Sequence, residues 1–135
     1  MNGLPNGKEK KYYKDGRIYE GDFVNGILEG YGKMGNKNGI FYIGQFSNDK
    51  VEGFGKYIGE NGKYYIGQFL NGKMNGKGKL FYKNGNINYE DDYVNDKFEG
   101  YGKCIWENGE YYIGQWVNGK MHGKGKHFYK NGDIK

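Results

Sequence analysis

The chain has 135 residues, of which 27 are Gly, 15 Tyr and 8 Phe, and it contains neither Ala nor Thr. Because Gly costs about 1 kcal/mol relative to Ala inside a helix, this composition excludes an ordinary helical domain and leaves aromatic rings to supply most of the buried apolar surface. The net charge of +5 comes almost entirely from Lys, and a chain with one Arg lacks the planar groups that read base edges, so we expect no nucleic-acid partner.

In chain order, the sequence opens with a partial repeat at residues 2–16 and continues with five full repeats. Each full repeat begins at a Tyr that is followed by a Gly-x-Gly-Lys motif, and successive starting points are 23, 23, 24 and 23 residues apart. Such self-similarity predicts stacked units in one domain over residues 1–135. Since both ends fall within a repeat, we expect the chain to be part of a longer array or to lack the usual caps of such arrays. The repeats start at Tyr19, Tyr42, Tyr65, Tyr89 and Tyr112.

Each repeat is predicted to form one β-hairpin. In the third repeat, an aromatic and β-branched run at 64–70 precedes a Gly-bounded turn at 71–76, and a second run at 77–82 meets the turn Lys83-Asn84-Gly85. Runs of this kind are typical of strands, and Asn-Gly favours tight turns that need positive φ. The predicted fold class is therefore all-β, with an elongated, single, twisted antiparallel sheet of stacked hairpins.

The fourth repeat departs from the others. Asp91 replaces the Gly between two rings, Tyr93 replaces the usual Phe, and one extra residue between Gly85 and Tyr89 lengthens the spacing to 24. Because a one-residue slip would move every side chain to the other face, we expect a bulge or loop adjustment there. Asp49 and Asp96 replace a turn Gly, which Asp tolerates.

Alternation along the first strand of each repeat separates two faces. In the third repeat Tyr65, Gly67 and Phe69 share one face, while Tyr64 and Ile66 share the other. The glycines are predicted to leave a trough in which a neighbouring ring lies flat on the backbone. Because a single sheet has no second layer to cover both faces, one apolar face is expected to stay partly open and to bind a partner. The predicted partner-binding residues are Tyr42, Phe46, Tyr64, Tyr65, Ile66, Phe69, Tyr89, Tyr93, Tyr111, Tyr112 and Trp116.

A lysine occupies the same position in all five repeats. Two strands per repeat would place these ammonium groups about 10 Å apart, a pattern that suits anionic lipid headgroups or an acidic peptide. The competing interpretation is that the lysines keep an exposed sheet soluble. Glutamates four residues before three of them (Glu29, Glu52 and Glu99) would weaken attraction to a membrane. The predicted anion-binding or lipid-binding residues are Lys33, Lys56, Lys79, Lys103 and Lys126.

The pattern Tyr-x-Gly-x-(Phe/Trp)-x-x-Gly-x-x-x-Gly-x-Gly at a 23-residue period resembles the MORN (membrane occupation and recognition nexus) repeat over residues 19–132. The resemblance implies one hairpin per repeat and a shallow groove along the sheet. Arrays of this type occur in scaffold proteins, in junctophilins and in plant phosphatidylinositol phosphate kinases.

The predicted function is that of a non-catalytic scaffold, which binds a helix or peptide of another protein, or a second copy of itself, along an aromatic groove. The alternatives are a module that binds anionic phospholipids through the lysines, an accessory array of a larger enzyme, and a carbohydrate-binding repeat of the bacterial choline-binding type. The last usually carries Gly-Trp pairs, whereas only Trp106 and Trp116 are present here. A cytoplasmic location, with cytoskeletal or membrane association, is expected.

No constellation of catalytic or metal-ligating residues stands out. Cys104 occupies a position filled elsewhere by Met, Tyr, Leu or His, which favours a packing role over a nucleophile. His122 and His127 lie at variable positions, and the acidic run at 90–96 lacks the spacing of a calcium loop. We therefore expect no catalytic residue, no metal, no cofactor and no small-molecule substrate.

Overall fold

The computed structural model describes residues 7–59 and 61–135, so residues 2–6 of the predicted partial repeat lie outside it. The described residues form one antiparallel sheet of eleven strands, and its strand order follows the sequence from β1 to β11. The predicted sheet of stacked hairpins is thus confirmed. The strands are β1 (Gly7–Tyr12), β2 (Ile18–Val24), β3 (Ile27–Gly35), β4 (Phe41–Ser47), β5 (Lys50–Ile58), β6 (Tyr64–Leu70), β7 (Lys73–Phe81), β8 (Ile87–Val94), β9 (Lys97–Ile105), β10 (Tyr111–Val117) and β11 (Lys120–Phe128).

Two kinds of turn alternate along the sheet. Two-residue turns join β2 to β3 and the corresponding later pairs, and both residues have positive φ, as in Asn71 (51°) and Gly72 (82°). Asp49 (68°) adopts the same conformation, which fits the expectation that Asp serves in place of Gly. At the other end of the strands, turns such as Asn84-Gly85 have positive φ only at Gly. The Asn84 side chain accepts a hydrogen bond from the backbone N–H of Asn86.

The predicted turn at 71–76 is wrong in its extent. The turn ends at Gly72 and β7 begins at Lys73, while the register jumps between the pairs Gly67↔Gly78 and Phe69↔Met74. The extra residues therefore form a bulge inside the strand. Gly76 has a φ of 92° there, a conformation that L side chains rarely adopt, so the first Gly of the Gly-x-Gly-Lys motif belongs to the bulge and not to a turn.

The expected irregularity of the fourth repeat is confirmed. Leu80 pairs with Tyr89 and Phe81 pairs with Ile87, which leaves Asn88 as the additional residue of a bulge. Its side chain is buried, with 8% exposure, and donates hydrogen bonds to Tyr82 Oη at 3.0 Å and to the Ile105 carbonyl at 3.2 Å. The insertion thus leaves the faces of the flanking residues unchanged while burying one polar side chain with its partners.

The core lies on one side of the sheet, which we call the tyrosine face because the first Tyr of every repeat points into it. Tyr65 packs edge to face on Phe69 of its own repeat, at a centroid distance of 5.1 Å, and on Tyr93 of the next, at 5.0 Å. Burial raises the pKa of the Tyr42 phenol to about 12, and its hydroxyl donates to the Gln45 carbonyl at 2.8 Å. The buried rings of the tyrosine face, which we call the aromatic column, therefore stabilise each repeat and couple it to its neighbour.

Glycines make room for these rings, as the sequence predicted. A Cβ at Gly32 would lie 2.5 Å from Oη and 2.8 Å from Cζ of Tyr19, which is fully buried. The second Gly of each Gly-x-Gly-Lys motif has the same relation to the Tyr of its own repeat. The ring consequently rests on bare backbone, and any side chain at that position would displace it.

Glutamates join the two-residue turns of consecutive repeats. The Glu52 carboxylate accepts a hydrogen bond from the backbone N–H of Asn71 at 3.0 Å, and Glu99 does the same for Asn118. Glu29 caps Asn48 at 2.9 Å. The three glutamates that precede lysines in the sequence thus link neighbouring turns at one end of the strands.

Candidate interaction surface

The structure separates the eleven predicted partner-binding residues into two groups. Eight of them lie on the tyrosine face with exposures of 7% or less, and they contact one another as core. They are Tyr42, Phe46, Tyr65, Phe69, Tyr89, Tyr93, Tyr112 and Trp116. The other three, Tyr64, Ile66 and Tyr111, are half-buried on the opposite side of the sheet. Only these three have surface available for a partner in this structure.

We call that opposite side the lysine face, because Lys33, Lys56, Lys79, Lys103 and Lys126 all lie on it. The strand register places them in a single row across the sheet, in which each lysine faces an Ile or a Glu on the adjacent strand. We refer to this as the lysine row. In order it contains Lys33, Ile43, Lys56, Ile66, Lys79, Glu90, Lys103, Ile113 and Lys126.

Three of the ammonium groups rest on aromatic rings of the following strand. Lys33 Nζ lies 4.7 Å from the ring centroid of Phe41, and Lys56 Nζ lies 4.9 Å from that of Tyr64. Lys103 has the same contact, at 4.6 Å. Cation–π contacts of this kind hold the charge at a fixed place on the sheet while leaving it hydrated on its outer side.

A half-buried apolar row runs beside the lysine row. Tyr64 and Phe81 stack at a centroid distance of 4.8 Å, and Tyr111 and Phe128 stack at 4.7 Å. Three of the rings lie under lysine ammonium groups, and no described residues form a second layer above the row. The row consists of Phe41, Ile58, Tyr64, Phe81, Ile87, Ile105, Tyr111 and Phe128.

Sequence reasoning missed three exposed aromatic residues on the other side of the lysine row. Tyr31, Phe54 and Tyr101 occupy the variable position of the Gly-x-Gly-Lys motif and are 58%, 59% and 59% exposed. The signal was available, since a bulky ring between two glycines has no neighbour on its own strand to cover it. The corresponding positions in the third and fifth repeats carry Lys77 and Lys124.

Among the depressions on the described part of the lysine face, three shallow ones are each lined by one of these rings together with an Ile of the lysine row. Tyr31 and Ile43 line a depression of about 600 Å³, while Phe54 and Ile66 line one of about 520 Å³. A third, of about 350 Å³, lies beside Tyr101. The face therefore offers a series of apolar recesses at the period of the repeat.

Strand β8 interrupts this series with charge. Lys77 Nζ lies 2.8 Å from an Asp91 carboxylate oxygen and 2.9 Å from one of Asp92, and these contacts raise its pKa. Asp91 itself has a φ of 126°, an unfavourable conformation for a residue with a side chain. Lys79 forms an ion pair of 3.7 Å with Glu90. The fourth repeat thus neutralises the lysines of the third.

The described residues, 7–59 and 61–135, contain no group of three or more His, Cys, Asp or Glu side chains arranged to hold a metal ion. Cys104 is buried beside Asn88, and burial raises the pKa of its thiol, which disfavours the nucleophilic thiolate. The described part of the chain also has no helix of the length and hydropathy needed to cross a bilayer.

Comparison with known protein families identifies the repeat. The sequence model of the MORN repeat matches five consecutive segments, at residues 19–40, 42–64, 65–87, 92–111 and 112–134. The fourth match begins beyond Tyr89 and Asp91, where the repeat is irregular. No curated protein matches the chain.

Proposed function

The chain belongs to the MORN repeat family, and we propose that it is a scaffold that binds a segment of another protein along its lysine face. MORN repeats are in general protein-interaction or membrane-interaction modules without catalytic activity. The segment is a helix or an extended peptide that lies across the strands. A second copy of the chain is the other form of this interaction.

The observation that supports the proposal is the exposed apolar surface of the lysine face. Tyr31, Phe54 and Tyr101 are more than half exposed, and the half-buried apolar row runs parallel to them on the far side of the lysines. Large apolar areas that a monomer leaves open usually mark sites of interaction, and aromatic side chains are enriched in the centres of interfaces. On the tyrosine face the rings of the core are buried, because they cover one another.

The test exchanges the exposed rings for a residue that the array already uses at the same position. In a triple variant with Tyr31→Lys, Phe54→Lys and Tyr101→Lys, every repeat carries the Lys found at 77 and 124, so the fold should persist. Tyr57→His is the matched control, since it removes an exposed ring at the position that His127 fills in the fifth repeat.

Affinity capture from cells and sedimentation velocity provide the readout. The proposal predicts partners, or dimers, that the control retains and the triple variant loses. A wild-type chain that captures no protein and sediments strictly as a monomer would refute it.

The lysine row favours a second candidate function, which is association with anionic membranes. Its lysines lie two strands apart, about 10 Å, and each Lys near a charged bilayer contributes about 1 kcal/mol of attraction. Flotation with phosphatidylserine vesicles at physiological salt tests this candidate. Binding that does not fall when Lys56, Lys79 and Lys103 are changed together to Gln, or no binding at all, removes it.

A further inference from the structure

The lysines of the lysine row are not equivalent. Lys79 is paired with Glu90 at 3.7 Å, and no other lysine of the row has an ion pair with any described residue. The other carboxylates on this side of the sheet lie on β2 and β8. Asp22 contacts Lys8, and the pair Asp91 and Asp92 contacts Lys77. Glu20 faces Lys33 in the strand register and lines the recess beside Tyr31, but it forms no ion pair with Lys33. The unpaired charges therefore fall into two groups, Lys33 with Lys56 and Lys103 with Lys126.

The strand order gives the spacing of these charges. Lys33 and Lys56 lie on β3 and β5, which are two strand positions or about 10 Å apart, and Lys103 and Lys126 on β9 and β11 repeat that distance. Four positions, or about 19 Å, separate Lys56 from Lys103. Between them the surface carries the neutralised pairs of Lys77 and Lys79.

The spaces between the unpaired lysines are apolar. Ile43 lies between Lys33 and Lys56, and Ile113 lies between Lys103 and Lys126, each beside one of the exposed rings. Three of the four ammonium groups are held in place by rings of the apolar row. A ligand that meets this face thus finds fixed positive charges alternating with apolar recesses.

Resting on the proposed function, we propose that the bound protein segment is acidic and carries two groups of carboxylates, one for Lys33 and Lys56 and one for Lys103 and Lys126. Apolar side chains of the segment fill the recesses beside Tyr31 and Tyr101. The stretch that crosses β7 and β8 is uncharged, because Lys77 and Lys79 already have partners. Charge complementarity of this kind determines the register of the segment along the sheet.

The experiment selects ligands without assuming their sequence. A display library of random 24-residue peptides is panned on the chain, and enriched peptides are synthesised and measured by titration calorimetry. We expect acidic peptides whose carboxylates form two groups separated by an uncharged stretch. Their affinity should fall about fivefold or more when Lys56 and Lys103 are both changed to Gln, and should also fall with added salt.

Lys79→Gln is the matched control, because it removes a lysine of the same row that is already paired, and it should change the affinity less than twofold. Glu90→Ile gives the fourth repeat the Ile of the second, third and fifth repeats and frees Lys79, so an acidic peptide with a third carboxylate group should bind more tightly. Circular dichroism confirms that each variant folds.

The outcomes separate this inference from the proposed function. The acidic segment is overturned if the enriched peptides are neutral or basic, or if Lys79→Gln lowers the affinity as much as the double variant does. Either result still leaves a protein-binding scaffold. A failure to enrich any peptide overturns the acidic segment, while capture and sedimentation velocity decide separately whether the chain is a scaffold. If the chain binds phosphatidylserine vesicles and no peptide, the lysine row serves the second candidate function, which is association with anionic membranes.

Discussion

Replacement of Gly32 by Ala should destabilise the array strongly, although it adds only one methyl group. The new Cβ would lie 2.5 Å from Oη, 2.8 Å from Cζ and 2.9 Å from Cε2 of Tyr19. That ring cannot move aside easily, because it is fully buried and packs edge to face on Phe23 and Phe46 at 5.0 and 5.1 Å. The clash must therefore shift several rings of the aromatic column.

The magnitude follows from two contributions. Overpacking of a dense core costs about 1–3 kcal/mol, and displacement of the Tyr19 hydroxyl from the Asp22 carbonyl adds about 1 kcal/mol. We expect a loss of about 2–4 kcal/mol in the free energy of unfolding, or roughly 10 °C in the melting temperature. Urea unfolding followed by circular dichroism measures it.

Gly59→Ala is the matched control. The nearest atoms to a Cβ at Gly59 are 3.7 Å away, so this change should stay within about 0.5 kcal/mol of the wild type. Tyr19→Phe removes the closest atom and should recover part of the loss in the Gly32→Ala background. Equal stabilities of the two alanine variants would show that the ring does not rest on Gly32.

Three further predictions concern the core phenols, the turn caps and the bulge. Since the pKa of Tyr42 is raised above its unfolded value near 10 to about 12, the stability that its neutral phenol contributes is complete below pH 10 and is lost as the pH rises to 12. Tyrosinate absorbance at 295 nm should therefore finish rising only as the sheet signal in circular dichroism disappears, and full ionisation of an intact sheet would contradict this. Glu52→Ala removes the acceptor for the Asn71 N–H and should cost about 1 kcal/mol in urea unfolding, whereas the exposed Glu107→Ala should cost less than about 0.5 kcal/mol; equal effects would exclude the cap. Asn88→Ala removes a buried donor to the Ile105 carbonyl and should cost about 1–2 kcal/mol, against almost nothing for the exposed side chain of Asn86, and a neutral Asn88→Ala would mean that the bulge is held by backbone alone.

The sequence was sufficient for the fold because period and residue type agree in every repeat. The starting tyrosines give the number of hairpins, the extra residue before Tyr89 locates the bulge, and the glycines indicate where rings lie on the backbone. The extent of the turn after Leu70 could not be obtained in this way. Gly76 is compatible with a turn or with a bulge, since both use positive φ, and only the register with β6 distinguishes them.

The candidate surface was harder to predict, because two apolar faces look alike in a sequence. Alternation assigns Tyr65 and Tyr64 to opposite faces but does not say which ring is covered. Burial depends on packing between repeats, where Tyr65 meets Tyr93 across 28 positions of sequence. The ion pair of Lys79 with Glu90 is likewise visible only once the strands are in register.

The ladder of neighbouring hairpins also determines how the chain can fold. Each of the eleven described strands pairs only with the strands next to it in sequence, so loop closure is short at each step. Folding can therefore begin at any repeat and spread in both directions. A chain leaving the ribosome can therefore build its sheet hairpin by hairpin. In each newly made repeat the first tyrosine, such as Tyr65, stays partly uncovered until a ring of the next repeat packs on it. The growing end is therefore the part of the chain most exposed to aggregation.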